Sequence, residues 1–140
     1  MKNVAVVSLA LVALLVSVGA APGAEWTPEA WVDEETIEVR TAAPGEDPYW
    51  FPIWQVVLDG EVYIRLGSRA AERFDENVDG SVIGLRIGGA EFDRVMTVDA
   101  ADVADRVDEA MSDKYWSEIF IGFFPHPATL RLVPEGAGAP

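Results

Sequence analysis

The chain contains no cysteine and one histidine, His126, and these two scarcities exclude several kinds of chemistry. Without cysteine there are no thiol nucleophiles, iron–sulfur clusters or disulfides. A single histidine cannot form a multi-histidine metal site, and no Gly-x-Ser-x-Gly motif supplies a serine for it to activate. His126 lies between two prolines, which is typical of a loop residue. The sequence therefore identifies no catalytic residue.

Residues 75–80, DENVDG, match the opening of an EF-hand calcium loop, but Arg86 stands at the twelfth position, where a bidentate glutamate is needed. The end of a helix followed by a turn explains the same acidic residues and glycine. We therefore predict no metal site.

Basic residues are also scarce, with 10 lysines and arginines against 24 aspartates and glutamates and a formal net charge of −14. Such a surface repels nucleic acid and anionic membranes, so neither is expected as a partner. Partners of the folded chain are expected to be small molecules.

Long apolar runs are absent except at the N-terminus, where residues 4–18 follow Lys2 and are interrupted only by two serines. Small residues from Gly19 to Ala24 come next, which is the order of a secretory signal. We predict a Sec-type signal peptide over residues 1–24, cleaved after a residue between Ala20 and Ala24, and export to the periplasm or extracellular space. Retention as an uncleaved anchor is the alternative, although the run is shorter than the roughly twenty residues of a membrane span. No stable membrane insertion is expected after cleavage.

The clearest structural signal is the stretch IWQVVLDGEVYIRLG at residues 53–67. Two arms rich in β-branched and aromatic residues flank Asp59 and Gly60, a pair that tolerates the positive φ angles of a tight turn. The first arm is almost wholly apolar while the second alternates. This pattern predicts a hairpin inside a closed or two-layered sheet.

The remaining elements follow from periodicity and turn residues. Thr27 and Pro28 predict a short N-terminal helix with Trp26 or Trp31 packed inward. Strands are predicted at residues 35–41, 81–87, 91–98 and 128–133, and helices at 69–77, capped by Ser68, and from Asp99 as N-cap to about Tyr115. Residues 25–134 thus form one domain, followed by a flexible tail over 135–140. The element order predicts a mainly β, α+β domain, an antiparallel barrel or strongly curled sheet whose longer helix covers one opening.

Three arginines, Arg65, Arg69 and Arg73, stand within nine residues of an acidic chain. Arg69 and Arg73 are one helical turn apart, and Ser68 is at the predicted helix start, where backbone amides and guanidinium groups together suit a phosphate. The alternative is that these arginines pair with surface carboxylates. Aromatic residues cluster at 49–54 and 115–124, where they form either core or a platform for a planar ring.

Several motifs together resemble a bacterial family of unknown function, the domain of unknown function 2255. They are IWQVVLDGEVYIRLGSR, RFDEN at residues 73–77, GLRIGG, RVDEAMSDKYW and HPATLRLVPE, and the resemblance spans residues 35–134. This family is related to the FMN-binding split barrels, which include pyridoxamine-phosphate oxidases and deazaflavin-dependent reductases.

The resemblance implies a six-stranded split β-barrel and an FMN or deazaflavin coenzyme. It places Arg65, Ser68 and Arg69 at the cofactor phosphate, and we expect Trp54 or Tyr63 near the ring. It also implies a homodimer. The leading hypothesis is a flavin- or deazaflavin-binding, oxidoreductase-like domain in which the cofactor supplies the hydride chemistry. The alternative is a non-enzymatic extracytoplasmic module that binds a small ligand or a partner.

Overall fold

A computed structural model of the protein describes residues 24–115 and 128–136. Six antiparallel strands close into a barrel in the order β1-β2-β3-β6-β5-β4, with β4 pairing back onto β1. The strands are β1 (Thr36–Thr41), β2 (Tyr49–Leu58), β3 (Glu61–Leu66), β4 (Val82–Ile87), β5 (Ala90–Asp99) and β6 (Ala128–Pro134). The predicted fold class, a mainly β six-stranded antiparallel barrel with two helices, is confirmed.

The predicted hairpin forms β2 and β3. Its turn residues Asp59 and Gly60 have φ angles of 52° and 76°, and Val57 pairs with Val62 across it. Only residues that tolerate the left-handed region suit these two positions, which is why the Asp-Gly pair determines the register. Strand β2 is longer than predicted, since it begins at Tyr49 and includes the aromatic run that precedes Ile53.

The barrel is split along the first half of β2. Strand β3 pairs with β2 from Gln55 to Leu58, whereas residues 49–54 pair only with β1 in the described part of the chain. Pro52 lies in this half and has no N–H to donate, so it is suited to an edge and not to a strand with two neighbours. A gap therefore opens beside the first half of β2, and helix α1 (Ser68–Asp75) begins at this gap.

Apolar side chains from alternate strand positions fill the barrel. The buried members include Ile37, Val39, Val62, Ile64, Leu85, Ile87, Val95 and Leu132, each 2% exposed or less. Ala70, Ala71 and Phe74 of α1 pack against this interior. Helix α1 is the shorter of the two helices. One of its faces is apolar, and this face contacts the barrel interior.

Helix α2 (Ala104–Lys114) packs on the outer wall of the barrel. Its Val107 and Met111 contact Val56 of β2 and Tyr63 of β3, which point away from the interior. The sequence predicts that the longer helix covers one opening of the barrel. In the structure α2 lies on the outer wall, because apolar side chains that face outward there are buried by packing against it. Asp99 is also not the N-cap; a 3₁₀ turn, Ala101–Val103, precedes α2, and Val103 occupies the N-cap position.

The predicted N-terminal helix is a single 3₁₀ turn, Pro28–Trp31. Its last residue, Trp31, packs against the barrel. Trp31 is buried, and it forms edge-to-face contacts with Trp26 and Phe92 at centroid distances of 5.0 and 5.9 Å. The fully buried side chain of Gln55 donates from Nε2 to the carbonyls of Trp31 at 2.9 Å and Glu34 at 2.6 Å. These contacts fasten the N-terminal turn to β2.

Asn77 secures the turn that follows α1, which ends at Asp75 and not at Asn77 as predicted. Its Oδ1 accepts from the Ala42 N–H at 3.1 Å, and its Nδ2 donates to the carbonyls of Gly80 and Val82 at 2.9 and 2.7 Å. The EF-hand-like residues therefore form a hydrogen-bonded turn. Within residues 24–115 and 128–136, no group of three metal-ligating side chains is found. No helix in the same ranges has the length and apolar character of a membrane span.

Candidate functional site

A groove of about 740 Å³ lies in the gap between the first half of β2 and the start of α1. It is lined by Tyr49, Phe51, Pro52, Ile53, Gly67, Ser68, Arg69, Ala70 and Arg73. The volume is within the range of small-molecule sites, and the lining combines an apolar wall from β2 with polar side chains from α1. This combination makes the groove the strongest candidate site in the described part of the chain.

The start of α1 places Ser68 and Arg69 in the groove. Gly67 is the N-cap, with extended backbone at φ −75° and ψ 174°, and Ser68 is the first helical residue, not the cap that the sequence predicts. No side chain among the described residues caps this helix end. The first N–H groups of a helix lack intrahelical partners and carry partial positive charge, so they add to the positive character contributed by Arg69.

Arg73, one turn further along α1, reaches across to β2. Its guanidinium carbon lies 4.2 Å from the ring centroid of Tyr49 and 5.5 Å from that of Phe51. The two rings are stacked with their centroids 6.3 Å apart, and Phe51 also meets Phe74 edge to face. Cation–π contacts of this kind hold the guanidinium against the ring without neutralising its charge.

Arg69 and Arg73 differ from the other arginines of the barrel because they have no carboxylate partner among the described residues. The ion pairs that do form are Arg40–Asp93, Arg65–Asp108, Arg86 with Glu38 and Glu91, Arg94–Glu135, Arg106–Asp59 and Arg131–Glu61. Of the two hypotheses for the arginines, carboxylate pairing thus applies to Arg65. The two unpaired guanidinium groups both line the groove.

Arg65 lies away from the groove, on the outer wall beside α2. Its Nε is 2.8 Å from Oδ1 of Asp108, an ion pair without the alignment of a hydrogen bond. Burial lowers the pKa of Arg65, and the Asp108 carboxylate opposes that change. Leu66 and Ile64 point into the barrel, so strand alternation turns Arg65 outward.

Tyr63 and Trp54 also lie on this outer wall. Tyr63 is buried among Val56, Met111 and other residues under α2, and burial, followed by the charge of Glu61, raises its pKa. Trp54 is 37% exposed and stacks on Tyr115 with centroids 5.0 Å apart and planes at 13°. Alternation along β2 and β3 gives both residues this orientation.

The five predicted cofactor-binding residues therefore fall into two groups. Ser68 and Arg69 line the groove, whereas Arg65, Tyr63 and Trp54 lie on the outer wall. The sequence analysis noted Arg73, and it noted Tyr49 within the aromatic cluster at residues 49–54, but it assigned neither to the cofactor site. The signal for Arg73 was its spacing of one helical turn from Arg69. Of the two aromatic runs, residues 116–124 lie outside the described residues, as does His126.

The end of α2 is fastened by two side chains that donate to backbone carbonyls. Lys114 Nζ donates to the Glu34 carbonyl and, at 3.2 Å, to that of Gln55. The Tyr115 hydroxyl lies 2.6 Å from the Glu35 carbonyl and 2.7 Å from that of Gln55. Burial lowers the pKa of Lys114 and raises the pKa of Tyr115 to about 12. The hydrogen bonds to these carbonyls give Lys114 and Tyr115 a structural role.

Comparison with solved structures gives the same class of fold. The chain is similar to a crystal structure described as an FAD-binding protein from Mesorhizobium loti, with a TM-score of 0.50 and 17% sequence identity over 76% of this chain and 84% of that one. At this identity the similarity supports the barrel fold. No family model matches the chain, and no curated protein matches it. The resemblance to the family of unknown function therefore stays a prediction.

Proposed function

We propose that the groove between β2 and α1 binds a phosphorylated flavin or deazaflavin, and that the protein is a flavin-binding, oxidoreductase-like barrel. The observation that carries this proposal is the pair Arg69 and Arg73, which line one groove without a carboxylate partner among the described residues. In a chain with 24 acidic residues, unpaired guanidinium groups are suited to an anion that arrives with a ligand.

The groove residues fit both ends of such a ligand. Arg69 and the Ser68 hydroxyl supply donors for a phosphate beside the positive end of α1. Tyr49, which is 51% exposed, and Phe51, Pro52 and Ile53 supply an apolar wall for a planar ring. No described residue that lines the groove carries a carboxylate, so nothing there repels the phosphate.

In this proposal the chain binds and orients, and the cofactor supplies hydride transfer when bound. The wall from β2 excludes water from one face of the ring, while Arg69 holds the phosphate at the helix. The fold similarity to an FAD-binding protein supports the proposal, as does the resemblance to the FMN-binding split barrels. The proposal assigns Ser68 and Arg69 to the phosphate. Arg65, Trp54 and Tyr63 do not line the groove, so the groove does not support their predicted roles.

The rival hypothesis is a non-enzymatic module that binds a small apolar ligand in the same groove. The aromatic and aliphatic residues on the β2 side favour it, whereas the two arginines do not. Replacement of Arg69 would then be nearly silent, and replacement of Tyr49 by alanine would weaken binding.

Export and dimerisation also belong to the proposal. The apolar N-terminal run supports a cleaved signal peptide over residues 1–24, and the resemblance supports a homodimer. Measuring the N-terminal sequence and mass of the protein recovered from the producing cells tests the first. Sedimentation equilibrium tests the second, and a monomer across the micromolar range would contradict it.

The binding proposal is tested by titrating the purified protein with FMN, FAD, riboflavin and a deazaflavin coenzyme, following ligand fluorescence and absorbance. We expect saturable binding that requires the phosphate. Arg69→Ala should weaken FMN binding by about tenfold or more, because a charge-assisted contact contributes roughly 1.5–3 kcal/mol. Riboflavin binding, which lacks that contact, should change little.

Arg94→Ala is the matched control for this variant. It removes the same charge from β5, which lies opposite β2 in the barrel and whose Arg94 pairs with Glu135. FMN affinity should be retained in this variant. If the folded protein bound none of the four compounds, the flavin proposal would be wrong. An equal loss of FMN affinity in both variants would show that overall charge, not the groove, attracts the cofactor.

A further inference from the structure

The groove contains two separate positions for negative charge. The first is at the start of α1, where Ser68 and Arg69 stand beside free backbone N–H groups. The second is at the Tyr49 end, where the guanidinium of Arg73 lies 4.2 Å from the tyrosine ring. Residues one helical turn apart have Cβ atoms about 5–6 Å apart, so the two positions follow one another along the helix.

Contacts with the aromatic rings keep the second position distinct from the first. Arg73 is within cation–π distance of both Tyr49 and Phe51, and Phe51 is itself held by Phe74. A guanidinium over a ring keeps its charge, and its N–H donors at the edge stay able to bind an anion. These ring contacts hold Arg73 at the Tyr49 end of the groove, one helical turn from Arg69. A ligand with a second anionic group would be bound while Arg73 stays in place.

We propose that the groove is selective for a diphosphate ester, and that Arg73 is the residue that determines this selectivity. One phosphate binds at Ser68 and Arg69, and the adjacent phosphate binds at Arg73. The chemical class is a dinucleotide cofactor or another nucleoside diphosphate derivative, in preference to a monophosphate. This inference rests on the proposed function, since it concerns the ligand of the same groove.

The test compares FAD with FMN, and ADP with AMP, in the purified protein and in the Arg73→Gln variant. We expect FAD to bind at least about tenfold more tightly than FMN, as one additional charge-assisted contact implies. Arg73→Gln should reduce this ratio to near one while affecting FMN much less. Arg94→Gln should leave the ratio unchanged, because Arg94 is paired with Glu135 on the opposite wall.

Competition by pyrophosphate and inorganic phosphate separates the diphosphate from the adenine ring. Pyrophosphate should displace FAD at lower concentration than phosphate does, and this difference should disappear in Arg73→Gln. Equal affinity for FAD and FMN would overturn the inference while leaving flavin binding intact. A preference for FAD that persists in Arg73→Gln would also overturn it, since the adenosine would then be its source. If no flavin bound but pyrophosphate bound in an Arg73-dependent manner, the flavin proposal would fail and diphosphate selectivity would stand.

Discussion

Tyr115 shows how a single buried hydroxyl can connect three segments of this barrel. It is 5% exposed, its ring stacks on Trp54, and its hydroxyl reaches the carbonyls of Glu35 and Gln55. Ionisation would place a charge in this apolar site and remove the only proton that the hydroxyl can donate. Burial is the main cause of its raised pKa.

The raised pKa predicts a specific loss of stability at alkaline pH. The unfolded tyrosine ionises near pH 10, whereas the folded one ionises near pH 12. The contribution is therefore complete below pH 10 and is lost as the pH rises towards 12, by about 3 kcal/mol for two pKa units. Urea unfolding of the wild type and of Tyr115→Phe at pH 8 and pH 11 measures this effect.

Tyr115→Phe should be the less stable protein at pH 8, by about 1–3 kcal/mol, because a carbonyl loses its donor. The difference between the two proteins should shrink at pH 11, since the phenylalanine has nothing to ionise. A constant difference across this range would contradict the assignment of Tyr115. Tyr63→Phe is a useful comparison, because burial also raises the pKa of Tyr63.

Arg65 shows at the same scale why the site could not be predicted in full from the sequence. Arg65, Ser68 and Arg69 are close in the chain, and the family resemblance placed all three at one phosphate. The chain changes from strand to helix between them, and alternation in β3 turns Arg65 toward Asp108. Because sequence distance does not determine direction across such a boundary, only Ser68 and Arg69 reach the groove.

At the scale of the element, the hairpin of β2 and β3, with its Asp59 and Gly60 turn, was predicted correctly. The glycine pair Gly88 and Gly89 joins β4 and β5, with φ angles of 55° and 82°. Local turn chemistry makes such positions recognisable. The position of α2 was not recognisable, because it depends on which strand faces are apolar after the barrel has closed. Nor did the sequence reveal that the half of β2 containing Pro52 would have one neighbouring strand in the described part of the chain.

The two turn glycines give a matched pair for testing the packing of the N-terminal turn. A Cβ on Gly88 would lie 2.7 Å from Trp31 Cδ1, whereas one on Gly89 would meet nothing within 4 Å. Both substitutions strain a positive φ, at a cost of about 1 kcal/mol. Gly88→Ala should cost about 1–3 kcal/mol more than Gly89→Ala, since Trp31 must move.

Denaturant unfolding combined with tryptophan fluorescence measures this difference. Gly88→Ala should also change the emission of the folded state, because Trp31 is 3% exposed and packs against Trp26 and Phe92. Equal stabilities for the two variants would show that Trp31 is not held against this turn.

At the scale of the whole molecule, barrel closure and the groove have a common origin. Five strand pairings and the return of β4 to β1 close the sheet, while the first half of β2 has no second partner strand within residues 24–115 and 128–136. The helix that begins at this opening brings Arg69 and Arg73 to the unpaired strand half. Of the predicted ring and phosphate residues on the outer wall, Tyr63 is buried under α2, Arg65 pairs with Asp108 and Trp54 stacks on Tyr115.

The most direct test of this account is residue-resolved mapping of FMN binding by NMR on the isotopically labelled protein. Binding in the groove should shift the amide resonances of residues 49–51, 53 and 67–73 and leave those of β5 unchanged. The Arg69→Ala variant should show these shifts only at higher FMN concentration. Shifts centred on Tyr63, Arg65 and Asp108 would instead place the cofactor on the outer wall beneath α2, and would contradict the groove as the site.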